Sequence, residues 1–154
     1  PHARNASGQV ADASAESPSP AVVEVTVLSL EEDGIASAQL LAEVAAYLND
    51  DDVRPVADRL EVRSAEVIPY RIDAVLYMAG TGPENEATLA ECQRRLQAWV
   101  NPRRRLGVEV SRSAIDAQLH IAGVSRVELR NWTDIRPSKA QAAWCTGFEL
   151  TRGG

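Results

Sequence analysis

The stretch DDVRPVADRLEVRSAEVIPY, residues 51–70, decides how the chain divides. Its charges, Asp51, Asp52, Asp58, Glu61 and Glu66 against Arg54, Arg59 and Arg63, have the density of an active-site loop. Its prolines and its alternation read differently. Pro55 cannot continue a helix, since it lacks the backbone N–H and its ring clashes with the preceding turn, so the helix before it stops near Asn49. The acids at 50–52 also sit badly at the negative end of that helix's dipole. Leu60 to Val67 alternates apolar and polar side chains, the period of a strand, and Pro69 is expected to break it before a second strand begins at Tyr70. Asp58 and Arg59 flank a turn with no His, Ser or Cys nucleophile beside them. The run reads as a joint between a first lobe, 1–69, and a second, 70–154.

On the N-terminal side, residues 1–9 are small and polar without a helical period. Residues 10–17 alternate weakly and 22–30 strongly, with Val23, Val25 and Val27 on one face and Glu24 and Thr26 on the other. Flanking Pro18-Ser19-Pro20, they form a loose hairpin, which leaves 22–30 one side on which to pair as an edge strand. Ser37 is placed to cap a helix whose Leu40, Leu41, Val44, Ala45 and Leu48 make one apolar stripe.

On the C-terminal side, 70–78 is a strand with Ile72, Ala74, Leu76 and Met78 on one face. Pro83 opens a second helix, with Glu84 and Glu86 at its positive end and Leu89, Cys92, Leu96 and Trp99 as its stripe. Ser111 or Ser113 caps a third, carrying Ile115, Leu119 and Ala122 and closed by Gly123. Residues 124–131 and 144–151 are the closing strands. The order is β-β-α-β, then β-α-α-β-β: an α+β protein of two small α/β sandwich lobes with mainly antiparallel or mixed sheets.

The composition is that of a globular protein, 45% hydrophobic and 25% charged. A net charge of −6 argues against nucleic acid, whose phosphates need a positive field. No run approaches the ~18 apolar residues of a membrane span, so no membrane insertion is expected. Lys139 is the only lysine among 16 Lys and Arg; arginine's planar fork suits bidentate ion pairs at interfaces. Pro1 stands where a start Met would, which reads as a fragment of a longer chain.

Chemistry has little foothold. Asp116 and His120 share a helix face at i, i+4, the start of a metal site or proton relay, but a third ligand is missing and an ordinary polar pair at a helix end accounts for them. Cys92 lies on an apolar stripe, and Cys145 is a nucleophile only if His120 reaches it. Two cysteines without CxxC or Cys/His spacing point to neither a disulfide nor zinc, and no GxGxxG, P-loop, GxSxG or HExxH occurs. No catalytic, cofactor-binding or metal residue is assigned and no cofactor is expected. Residues fitted to protein contact remain: Arg103, Arg104 and Arg105 in the basic run PRRRLG, Trp132 in the polar loop RNWTDIRPSKAQ, and Arg136.

The segments HARNASGQVADASAESPSP, VEVTVLSLEEDG, DVRPVADRLEVRSAEVIPY, RRRLG, SAIDAQLHIAGVSRVEL and QAAWCTGFEL, in this order, resemble the baseplate assembly protein J family of contractile phage tails, prophages and tailocin-like particles. Family members are roughly twice this length, so the resemblance implies a C-terminal half. It implies a non-enzymatic wedge protein of the virion tail baseplate, present in host cytoplasm during assembly. Its partners would be other wedge proteins, a subunit similar to the tail protein I family, and copies of itself. The rival readings are a receptor- or carbohydrate-binding tail-tip module and a hydrolase using Asp116 and His120.

Overall fold

The computed structural model describes residues 3, 6–19, 22–30, 33–49 and 59–153. Arg54, Pro55 and Asp58, which the sequence places at the joint, lie outside them. Two compact units interleave along the chain. The first is Pro1–Ile68 with Arg105–Gly107 and Pro137–Trp144; the second is Pro69–Arg104, Val108–Arg136 and Cys145–Gly154. The first unit thus takes in two later segments, and the second begins at Pro69.

In the first unit, β1 (Val10–Ser19) runs antiparallel to β2 (Val22–Ser29), with Ala13 opposite Val27 and Ala15 opposite Val25. The register shifts between Glu16 and Ser19, around Pro18, as a proline-bearing hairpin end requires. After α1 (Ala38–Leu48), β3 (Arg59–Ser64) pairs with β2 in parallel. Parallel neighbours need a crossover connection, and α1 supplies it. The sheet order β1-β2-β3 puts β2 at the centre. This corrects its expected place at an edge: β3 takes the side the hairpin leaves open.

Ser37 caps α1 as its spacing predicts, its side-chain oxygen accepting from Leu40 N at 3.1 Å. Such a cap contributes about 1 kcal/mol. Leu40, Val44 and Leu48 are the buried stripe and pack with Val25 and Val27. Ala3 is buried in the same cluster, so the N-terminal segment contributes to a core its composition does not announce. The opposite face of β2 is also covered: Leu28 packs with Ala65, Ala142 and Trp144, and Thr26, an expected solvent residue, is buried.

The second sheet has β4 (Glu66–Met78) at its centre in the order β5-β4-β6, with β5 at Val124–Arg130 and β6 at Gln141–Gly153; β4 from Pro69, β6 from Cys145 and all of β5 fall in the second unit. Pro69 does not break β4. The ladder with β5 starts at Asp73, so on that side no N–H is demanded of Pro69, and the ring's fixed φ is compatible with extended backbone. Tyr70, Ile72, Ala74 and Leu76 form the buried face of β4. The apolar faces of α2 (Glu84–Val100; Cys92, Leu96, Trp99, Val100) and α3 (Arg112–Leu119; Ile115, Leu119) are buried as well. The Cys92 thiol donates to Leu119 O at 3.4 Å and ties the two helices.

Ser111, not Ser113, caps α3, accepting from Ala114 N. α3 ends at Leu119, with His120 as its C-cap, so Ala122 is exposed beyond it rather than on its stripe. Gly123, at φ 96°, turns the chain into β5. No described helix is long and apolar enough to cross a membrane.

Candidate functional site

The basic run does not form one patch. Arg103 stacks its guanidinium over the Trp99 ring, 4.6 Å from the centroid, after the 3₁₀ turn Asn101–Arg103 that follows α2. Trp99 precedes it by four residues, a helical spacing that marks the pair in the sequence. Arg104 is half-buried and donates to Cys145 O at 2.7 Å, so it holds β6. Arg105 groups with the first unit, where its Nε lies 3.7 Å from Asp12 Oδ2 while Leu106 N donates to the same oxygen at 3.0 Å. Two of the three arginines are thus engaged within the fold of the second unit.

Trp132 is a half-buried residue rather than a free anchor. Its ring meets Tyr70 edge-on, with centroids 5.6 Å apart, and its Nε1 donates to Asp134 Oδ1 at 2.9 Å. The same oxygen accepts from Arg112 N at 2.8 Å, at the first residue of α3. These two hydrogen bonds hold the Asp134 carboxyl below the usual carboxylate range. Asp134 fixes the Trp132 loop to the start of α3, a role the sequence reading missed: an Asp two residues after a Trp carries no signal of it. Arg136 is exposed and faces Glu109 at 3.5 Å.

Of the residues weighed for catalysis, the structure keeps Asp116 and His120 together and places Cys145 elsewhere. Burial raises the Asp116 carboxyl above its ordinary range, against the pull of Arg112 and His120. Burial raises the Cys145 thiol, against the lowering effect of the Gly147 hydrogen bond, Arg104, Arg71 and Tyr70. A neutral buried thiol without a base beside it is a poor nucleophile. Tyr70 is also pushed well above the ordinary phenol range, first by burial and then by Cys145. Among the described residues, no group of three or more His, Cys, Asp or Glu could hold a metal ion.

The raised Asp116 carboxyl has a consequence for stability. Between the ordinary carboxylate pKa and the raised folded one, the folded state holds the extra proton, so stability falls as pH rises through that window and stays lowered above it. Asp116→Asn removes the penalty. The variant is expected to melt at a higher temperature than the parent at neutral pH and at the same temperature near pH 3 (about one unit below the ordinary value). Equal melting temperatures at neutral pH would contradict the assignment.

The helix-free face of the second sheet is largely polar, with Val75 buried within it. Arg71, Asp73, Val75 and Tyr77 alternate with the buried face of β4, and Asp73, Val75 and Tyr77 sit opposite Arg130, Glu128 and Arg126 of β5. Tyr77 OH donates to Glu128 Oε2 at 2.9 Å, and Arg126 lies 4.6 Å over the Tyr77 ring. Two β6 glycines keep the surface flat. A Cβ at Gly147 would meet the Arg71 guanidinium at 2.7 Å, and one at Gly153 would meet Val75 and Tyr77 at 2.6 Å. A shallow depression of about 260 Å³ on this face is lined by Asp73, Arg130, Asn131, Glu149 and Thr151. Ala74 and Val75 complete its lining, so its wall is mostly polar with a small apolar part, unlike the mainly apolar wall of a small-molecule site.

Residues 1–64 match the Baseplate J-like central domain family. Over 154 residues, 99% of the chain, the sequence is 47% identical to Baseplate protein J of Escherichia phage P2. The chain spans about half the length of that relative, 51%. The match to the Baseplate J-like central domain at one end and the identity carried through to the other make the chain similar to baseplate J-like proteins along its whole length.

Proposed function

We propose that this chain is a structural part of a contractile-tail baseplate and acts through protein–protein contacts in wedge assembly. The observation that carries the reading is the 47% identity over the whole chain to a protein named for the baseplate. The second unit's surfaces agree with it. Cys145 stands apart from Asp116 and His120, the cysteines are buried, and the arginine-rich surface offers planar donors for ion pairs. Its partners on this reading are other wedge proteins, including one similar to the tail protein I family, and copies of itself. It assembles in host cytoplasm and resides at the tail tip.

The test uses particles purified from the source and an antibody raised against the 154-residue chain. Immunogold electron microscopy is expected to label one end of each tail. Label absent from particles, or spread along the tail or over the capsid, would overturn the reading.

A further inference from the structure

We propose that β5 pairs edge to edge with β5 of a second copy of this chain, antiparallel and centred on Val127. The inference deepens the assembly reading and rests on it for its place in the particle. β5 ends its sheet, and among the described residues no strand pairs with its other edge. It contains neither proline nor lysine, two common blockers of an edge.

Its charges select the partner. On the helix-free face β5 carries Arg126, Glu128 and Arg130, a plus-minus-plus ladder, with side chains 68%, 39% and 57% exposed. Facing residues of an antiparallel pair that extends one sheet point to the same side, so even-numbered residues of one copy face even-numbered residues of the other. Centring the two-fold on Glu128 would set Glu128 against itself and Arg126 against Arg130. Centring it on Arg126 would set Arg126 against itself. Centring it on Val127 sets Arg126 opposite Glu128 twice, once on each side of the axis, and joins the two half-buried Val127 side chains on the other face. Opposite charges facing across strands attract and like charges repel, so the ladder complements a copy of itself in that register.

The surroundings support the geometry. Within the chain, Arg126 and Arg130 lie 3.7 and 3.8 Å from Glu128. These are loose contacts that leave both guanidinium groups with donors to spare. Tyr77 OH bonded to Glu128, and its ring under Arg126, hold both side chains in place beforehand, which lowers the ordering cost of association. Arg112 Nη1 donates to Leu129 O at 3.2 Å, at the end of the paired run and not at its centre.

The experiment measures self-association of the full 154-residue chain by sedimentation equilibrium, with four proteins: parent, Glu128→Arg, Arg126→Glu, and the double exchange. The parent is expected to dimerise reversibly. Each single variant sets like charges opposite one another twice and is expected to weaken the dimer by about tenfold or more. The double exchange restores opposite pairs and is expected to return to within about threefold of the parent. Melting curves, recorded at a concentration where all four are monomeric, serve as the control that the singles are folded. Each single also loses a contact to Tyr77 or between Arg126 and Glu128 within the chain and should melt cooperatively, only slightly below the parent.

A monomeric parent, single variants that dimerise like the parent, or a double exchange no better than the singles would each overturn the proposal. A contact with a different protein would be weakened by the exchange and not restored. None of these outcomes touches the immunogold result, so failure of the β5 contact and failure of the baseplate reading are told apart.

Discussion

Gly34→Val is expected to destabilise the first unit by roughly 2–5 kcal/mol, the sum of a backbone term of ~1–2 and an overpacking term of ~1–3. Gly34 has φ 77°, a left-handed conformation that a β-branched residue resists. Its Cβ would also lie 2.7 and 2.8 Å from two Trp144 ring carbons and 3.1 Å from Leu28 Cδ1. Neither neighbour can retreat easily, because Trp144 is 7% and Leu28 0% exposed, in one cluster with Ala65 and Ala142. The backbone is pinned as well, since Ser29 N donates to Gly34 O at 2.9 Å. A loss of this size is a large share of the 5–15 kcal/mol of a typical domain. Urea denaturation should show a midpoint far below the parent's, and an unchanged midpoint would refute the account. The two terms can be separated. In a Trp144→Leu background, Gly34→Ala should cost less than it does in the parent, because only the ring contact is relieved.

That prediction was not available from the sequence, and the reason is physical. Gly34 sits in EEDGIAS, a turn by composition, and the residue it presses against lies far along the chain. Local periodicity reports which face of an element is apolar; it does not report what covers that face. So the stripes Leu40-Val44-Leu48 and Cys92-Leu96-Trp99 were legible, as was the cap Ser37. The burial of Thr26 was not, because the segment over β2 comes from 137–144. Pro69 misled for a related reason. A missing N–H disrupts a strand only where a neighbour needs it, and the β5 ladder begins later, at Asp73.

The candidate contact residues divide along the same line. PRRRLG was legible as a basic run, yet its fate depends on three different neighbours: the Trp99 ring, Cys145 O and Asp12. Only the first stands at a helical distance in sequence. VSRVELR read as a plain closing strand. Its alternating charge gained meaning only once the order β5-β4-β6 left it at the edge of the sheet.

Leu96→Ala is the second large effect, expected to cost the second unit about 3 kcal/mol within a usual range of 2–5. Leu96 is 0% exposed in the middle of α2, one turn after Cys92, whose thiol is bonded to α3. Truncation therefore leaves a cavity walled by helices that are already tied together, and such a site collapses little. Leu30→Ala is the matched control: Leu30 is 59% exposed, and its loss should stay within about 0.5 kcal/mol. Chemical denaturation of both variants checks the contrast, and equal midpoints would show that α2 does not carry the core assigned to it. The pair also bears on self-association. An edge strand presents its ladder only while the sheet behind it is folded, so Leu96→Ala should weaken the dimer mainly at temperatures approaching its lowered melting point. Glu128→Arg leaves the core intact, losing only the Tyr77 hydrogen bond and the arginine contacts within the chain, and should weaken the dimer at every temperature, including those far below its melt. If the two variants lost dimer with the same temperature dependence, β5 would be sensing general unfolding, and the charge ladder would not be the contact.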